Sequence, residues 1–573
     1  MTVERENQSC VAGWEAIGQE IREQLAVRGG VRVLVVECYP GTDDAEIKAH
    51  VASNIPHALW IDVADLYKPE AEIQEMVHPF VTDDRLFGYM SPLTINDYLH
   101  AGKLESIRER VSALNQGTVV VYGAGAACVL PAWDLLVYAD MARWEIQMRM
   151  RRKEVNSLGM NNKTAEFALL YKQGFYVDWR VADKLKKALM NRWDYVLDTN
   201  TKTAPKLVKG QAVLQGLKLA VGRPFRVVPF FDPGPWGGQW MKEVCDLDRS
   251  AINYAWCFDC VPEENSLLLG FGKHQVEIPS INLVFHQTSA LLGDKVRSRF
   301  GDEFPIRFDF LDTMAGGNLS LQVHPLTEYI QQKFGMHYTQ DESYYMLDVK
   351  DGAFVYLGLN DDVNPEAMLR ELREAKDGGK PFDADRHVKK WSVRKHDHVS
   401  IPAGTVHCSG ADSMVLEISA TPYNFTFKLW DWDRLGLDGK PRPINIDHGA
   451  NVIQWDRTAS WVERHALNLV EPLTQGPGWR EERTGLNDLE FIETRRHWFT
   501  GTVAHHTQGI VNVINLVEGE EAIVESPEGE FEPFVVHYAE TFIIPAAVGA
   551  YTIRPYGVSA GKECATLKAY VRV

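Results

Sequence analysis

Among the residues of metal-ligating type between residues 318 and 407, four stand out, each in a short β-like segment: Gln322, His324, Glu342 and His407. In the run Asn-Leu-Ser-Leu-Gln-Val-His-Pro (318–325), strand alternation sends Ser320, Gln322 and His324 to one face and Leu319, Leu321 and Val323 to the other. In Asp-Glu-Ser-Tyr-Tyr-Met-Leu (341–347) the same rule puts Glu342, Tyr344 and Met346 on one face, so a carboxylate opens a strand otherwise made for burial. His407 closes the turn that begins Ile401-Pro402-Ala403-Gly404. If these strands are neighbours in a barrel, an amide oxygen, two imidazoles and a carboxylate converge. That set suits Zn²⁺, with Mn²⁺ or Fe²⁺ also compatible, and leaves room for water or substrate oxygens.

The elements that must position these groups follow from the texture of the chain. Its 573 residues should hold about three or four domains. From about 31 to 200, β-branched runs at 31–36, 58–63, 118–122 and 135–138 alternate with amphipathic stretches, which predicts βαβ units around a parallel sheet. The turn after the first strand is where a P-loop would carry glycines, Lys and Ser or Thr; those residues are missing. Asp43 and Asp44 stand there instead, good helix caps that oppose a bound phosphate. The basic stretch 143–152 resembles the lid of nucleoside kinases, so residues 1–212 are expected to form a kinase-like α/β domain of three layers without its phosphate cradle. Gly123-Ala124-Gly125 is a G-x-G without the third glycine of a dinucleotide site.

From residue 217 onward Pro, Gly and Trp become frequent and strands short: 280–285, 317–323, 344–349, 353–359, 398–401 and 414–418. A helical insert at 365–375 gathers Met368, Leu369 and Leu372 on one face. An internal repeat, HVSIPAGTVH at 398–407 and ETFIIPAAVGAY at 540–551, implies two related barrels, 213–470 and 471–573. The second copy runs through Val548, Gly549 and Ala550 where the first ends in a histidine, and the strand at 511–517 offers no carboxylate, so the first barrel alone is expected to serve metal chemistry. His396, His398, His505 and His506 have no placed partners and are read as surface or strand histidines.

Composition excludes some functions. Hydrophobic residues at 45% and charged residues at 24% describe a packed chain. A net charge of −18 repels nucleic acid and anionic lipid, so neither is an expected partner. The polar start MTVERENQSC lacks a signal-peptide pattern, and the uncharged stretch 111–133 reads as a buried strand and glycine turn; the expected compartment is the cytoplasm. Of eight cysteines only Cys257 and Cys260 form a C-x-x-C, read as reduced core thiols.

LSLQVHPLTEYI, DESYYML, VYLGL, IPAGTVH and LEISATPYNFTFKLWDWDR occur in the order and wording of the type I mannose-6-phosphate isomerases, a family of cupin metalloenzymes, and PFFDPGPWGGQWM with YAWCFDCVPEENSLLLG resembles that family's opening segment. The resemblance covers roughly residues 217–455. It implies two cupin (jelly-roll β-barrel) domains after the α/β domain, Gln322, His324, Glu342 and His407 as zinc ligands, and Ser320 near the substrate phosphate. It also marks departures: Gln340 stands in place of a lysine, Lys428 in place of an arginine, and Asp309 in place of another lysine, which weakens the expected hold on phosphate. Lys428 is the expected base, and Ser320, Gln340 and Lys428 the expected substrate contacts. The expected activity is metal-dependent aldose–ketose isomerisation, most simply of mannose 6-phosphate, on a sugar or sugar phosphate; a homo-oligomer is allowed. The alternatives are an isomerase of another sugar, a sugar-binding protein without turnover, and a nucleotide-dependent kinase fused to the isomerase.

Overall fold

In the computed structural model the run of valines after residue 30 becomes the strand Val31–Cys38, flanked in parallel by Gly117–Gly123 and Leu135–Asp140. Leu34, Val35 and Val36 are wholly buried, as expected of a parallel strand covered on both faces. The structure describes residues 1–3, 6–42, 44–420, 423–485 and 490–573. They divide into two compact units, Met1–Ala220 with Ser266–His286, and Val221–Asn265 with Gln287–Val573.

The first unit is α/β. Its seven-stranded sheet runs Cys10–Ala12, Lys206–Lys209, Tyr195–Asp198, Leu135–Asp140, Val31–Cys38, Gly117–Gly123, Leu59–Asp62. The last five are parallel to one another, and the first two are added antiparallel at one edge. Ile17, Ile21 and Leu25 of the helix Trp14–Ala26 pack with Leu34 and Val36 in one core.

The nucleotide-like turns are built for packing. A Cβ on Gly41 would lie 2.5 Å from Ile146, so this glycine admits a neighbouring side chain. After the strand Gly117–Gly123, the N–H groups of Gly125 and Ala127 donate to the Glu37 carboxylate at 2.6 and 2.8 Å, so the donors that a phosphate would need are already engaged. Burial pushes Glu37 up to about 7. Asp43 lies outside the described residues, as does the side chain of Asp44. The segment 280–285, expected as a strand, is instead the helix Ile281–His286. A short continuous apolar run has no period that separates a buried strand from a buried helix.

The second unit is rich in antiparallel sheet. One pair of sheets comprises His398–Ile401, Glu342–Val349, Ser413–Ser419, Arg307–Asp312, Trp256–Cys260 and Phe230–Asp232, and Val388–Ser392, Phe354–Leu359, His407–Ser409, Leu321–Val323 and Phe427–Trp430. The helical insert is Pro365–Lys376, started by Asn364, whose side chain accepts the Ala367 N–H at 2.8 Å, and seated through Met368, Leu372 and Ala375. A second pair comprises Val470–Gly476, Trp479–Thr484, Ile492–Phe499, Cys564–Val571, Asn512–Glu518 and Thr541–Ile544, and Val503–His506, Ala550–Pro555, Glu521–Glu525 and Phe534–His537. Phe499, Ile514, Leu516 and Phe542 from the six-stranded sheet meet Val503, Val524, Tyr551 and Ile553 from the four-stranded sheet in one core. Among the described residues no helix is long and apolar enough to cross a membrane.

Candidate metal centre

The three-residue strand Leu321–Val323 sits between two partners, so Gln322 lies opposite His407 on one side and Lys428 on the other. Glu342 arrives from the facing sheet. His324 Nε2 is 3.1 Å from Glu342 Oε2, and His407 Nε2 is 2.9 Å from Glu342 Oε1. The Gln322 amide touches His407 Nε2 at 3.1 Å, and Ser320 Oγ donates to Gln322 Oε1 at 3.1 Å. All four ligand-type residues are buried.

What fixes the imidazoles is their outer edge. His324 Nδ1 lies 2.9 Å from the Phe425 carbonyl and His407 Nδ1 lies 2.9 Å from the Thr405 carbonyl. An N–H at each Nδ1 leaves each Nε2 lone pair aimed inward, the arrangement that outer hydrogen bonds impose on metal-binding histidines. Acceptors therefore face acceptors. Among the described residues His324 Nε2 and Glu342 Oε1 have no hydrogen-bond partner despite burial, and the ligand atoms of His324, Glu342 and His407 lie within 4.8 Å of one another. A divalent cation fits this donor set.

Of the four, Gln322 lines a cavity of about 170 Å³, to which Ser320, Gln340 and Lys428 also contribute. Gln340 is tied down at both ends of its amide, donating to Glu342 Oε2 at 3.0 Å and accepting the Phe425 N–H at 3.1 Å. The same cavity holds residues that the sequence reading passed over: Arg307, Glu417 and Arg442. Arg307 donates to Asp309 at 2.7 Å and Arg442 to Asp431 at 2.7 Å. The expected shortage of cations is thus corrected, since two guanidinium groups reach the cavity from positions outside the quoted motifs. Arg307 precedes Asp309 by two residues on one strand, so alternation would have placed both on one face; Arg442, in a loop, gave no such signal. Burial, then Glu342 and Asp309, raises Glu417 well above the carboxylate range.

Of the histidines expected to be surface or strand residues, His398, His505 and His506 do lie in strands, and some carry partners that the sequence did not place. His398 is fully buried, with Nδ1 2.8 Å from Thr484 Oγ1 and Nε2 2.9 Å from Ser343 Oγ. His396 pairs with Tyr345 and Glu518, and His505 is buried and stacked on Tyr551. Alternating strands in a two-sheet protein have a buried face, and single-strand reading could not say which face.

Residues 13–222 match a family described only as a domain of unknown function, DUF8485. The mannose-6-phosphate isomerase ManA of Bacillus subtilis is 26% identical over 260 residues, 45% of this chain and 71% of that protein. A mannose-6-phosphate isomerase of Streptococcus mutans is 23% identical over 322 residues, 55% of this chain and 90% of that protein. Among solved structures, the mannose 6-phosphate isomerase from Bacillus subtilis aligns with a TM-score of 0.49 at 17% identity, covering 61% of this chain and 99% of that one. A zinc-bound mannose 6-phosphate isomerase aligns with a TM-score of 0.46 at 14% identity, covering 61% and 99%. By sequence, the chain is a homologue of the mannose-6-phosphate isomerases.

Proposed function

We propose that the protein is a divalent-metal-dependent aldose–ketose isomerase that interconverts mannose 6-phosphate and fructose 6-phosphate. The observation that carries this reading is the meeting of Gln322, His324, Glu342 and His407 beside a cavity that also holds Lys428 and two arginines. Those four residues would hold Zn²⁺, with Mn²⁺ or Fe²⁺ compatible. Bound there, the cation supplies Lewis-acid stabilisation of the negative charge that develops on neighbouring sugar oxygens when a carbon-bound proton beside a carbonyl is removed.

The rest is the work of the chain's own side chains. Lys428, opposite Gln322, takes the proton from one sugar carbon and returns it to the next, a role that requires its neutral amine. Arg307 and Arg442, each fixed by a carboxylate, offer planar donors for the phosphate. Ser320 adds a hydroxyl contact to the phosphate, and Gln340 contacts the sugar while bracing Glu342.

The architecture that goes with this reading is a kinase-like domain of three layers without a P-loop over 1–212, then cupin jelly-roll barrels over 213–470 and 471–573. Its compartment is the cytoplasm, in keeping with cysteines that stand as free thiols. The test is metal content and isomerase turnover of the purified chain and its Glu342→Ala variant on mannose 6-phosphate. A metal-bearing wild type and a variant without metal or turnover are expected. A metal-free wild type, or undiminished turnover in the variant, refutes the assignment.

A further inference from the structure

The second pair of sheets has a polar interior of its own. Registers place Glu481 opposite His497 and Arg495 opposite Lys568, so these four share a face. His505 comes from the four-stranded sheet, its ring centroid 4.6 Å from that of His497. Together with Trp479 they line a cavity of about 290 Å³.

Hydrogen-bond accounting separates used groups from unused ones. Glu481 is satisfied by Arg495 and His497, both at 3.1 Å. Glu493, the next carboxylate along, is satisfied by Arg495 at 2.6 Å and the Tyr570 hydroxyl at 2.6 Å. Two buried ring nitrogens and one lysine are left over. Among the described residues His497 Nδ1 and His505 Nε2 have no hydrogen-bond partner and Lys568 makes no ion pair or hydrogen bond, only a contact with the Tyr570 ring at 5.7 Å. His497 is 3% exposed, Lys568 8% and His505 9%. Lys568 is mostly buried and turns to this cavity rather than to a bonded carboxylate, a placement that burial alone does not favour. Burial draws the Lys568 amine down to about 8, which shows the strain on the charged form.

We propose that this cavity is a second ligand site, separate from the metal centre, for a monosaccharide-sized polyol carrying an anionic group, carboxylate or phosphate. Lys568 binds the anion. His497 Nδ1 and His505 Nε2 bond hydroxyls, and the Trp479 ring gives the sugar an apolar face to rest on. The carboxylates are already engaged, so the acceptor for the ammonium must come from the ligand.

Calorimetric titration of the full-length holoprotein with mannose 6-phosphate, gluconate and mannose tests the proposal, run in parallel on Glu342→Ala so that heat from the metal centre is separated. Binding of mannose 6-phosphate or gluconate is expected to persist in Glu342→Ala, to weaken at least tenfold in Lys568→Gln and in His505→Ala, and to be absent for mannose. Gluconate alone identifies a sugar acid, and mannose 6-phosphate alone a sugar phosphate. A lack of heat with both anions at millimolar concentration, or equal affinity in the Lys568→Gln and His505→Ala variants, overturns it. Lys568→Met adds a test independent of ligand: it is expected to melt at or above the wild-type temperature. A marked fall would make Lys568 a structural residue and sink the site.

Discussion

The two sheet pairs of the second unit solve opposite electrostatic problems on similar scaffolds. In the first pair the buried polar atoms are acceptors turned toward one another, namely two imidazole nitrogens and a carboxylate, with the His324 and Glu342 atoms left unsatisfied. In the second pair, among the described residues, a lysine without an ion pair stands beside two imidazoles that each keep one ring nitrogen unbonded. The first interior gathers acceptors at one point, and the second sets a lysine beside two imidazoles. An antiparallel two-sheet core therefore does not dictate ligand chemistry; the few inward positions left polar decide it.

The largest effect expected from breaking this contrast is at Glu342. Glu342→Ala removes the charge that both histidines face, and turnover should fall by at least about 10³-fold as metal is lost, since Lewis-acid stabilisation accounts for several kcal/mol of the barrier. Isomerase assay with metal analysis checks this. Retention of metal by the variant would show that Gln322, His324 and His407 suffice.

Lys428 ranks next. Lys428→Ala should lower kcat by roughly 10² to 10⁴-fold, the usual contribution of a positioned proton carrier, with metal content unchanged. Lys428→Arg should not restore kcat, because a guanidinium stays protonated. A variant that loses KM but keeps kcat would make Lys428 a phosphate contact instead.

The contrast between the interiors also explains what the sequence could reveal. Gln322, His324, Glu342 and His407 were readable because each sits in a short motif and because alternation on one strand fixes Ser320, Gln322 and His324 to a common face. Arg442 was not, since a loop residue has no period. The second interior was hidden for another reason. Glu481, Arg495 and His497 lie in WREERT and IETRRHWF, strands so charged that alternation reads as two solvent faces. Only the pairing of Arg495 with Lys568, far along the chain, turns one face inward. The repeat at 540–551 pointed to the turn that carries a ligand in the first pair, whereas the polar groups of the second pair stand on other strands. In the α/β unit the strands were legible, and the helix Ile281–His286 was not.

A smaller effect lies where the two pairs meet. His398 bonds Ser343 of the first pair and Thr484 of the second, and burial followed by the Arg496 charge holds its pKa down at about 3. The native state thus rejects a proton that the unfolded chain accepts near 6.5, so this residue's contribution is intact at pH 7 and declines as pH falls below 6.5. The loss should reach about 2 kcal/mol at pH 5. Relative to wild type, His398→Gln should be less stable at pH 7, and the gap should narrow by that amount at pH 5 in urea unfolding. A constant gap would mean that His398 titrates normally.

The least effect is expected at the helical insert Pro365–Lys376, which joins the strands Phe354–Leu359 and Val388–Ser392 of the first pair. In the second pair the corresponding link, 526–533 between Glu521–Glu525 and Phe534–His537, is a turn. Asn364→Ala removes the acceptor for the Ala367 N–H and should cost about 1 kcal/mol, the usual value of an N-cap. Because the helix is anchored independently through Met368, Leu372 and Ala375, the change should leave metal affinity and turnover untouched while lowering the melting temperature. If turnover falls with stability, the insert helps to hold the metal-bearing sheet in register, and the difference between the pairs extends from their interiors to the loops that frame them.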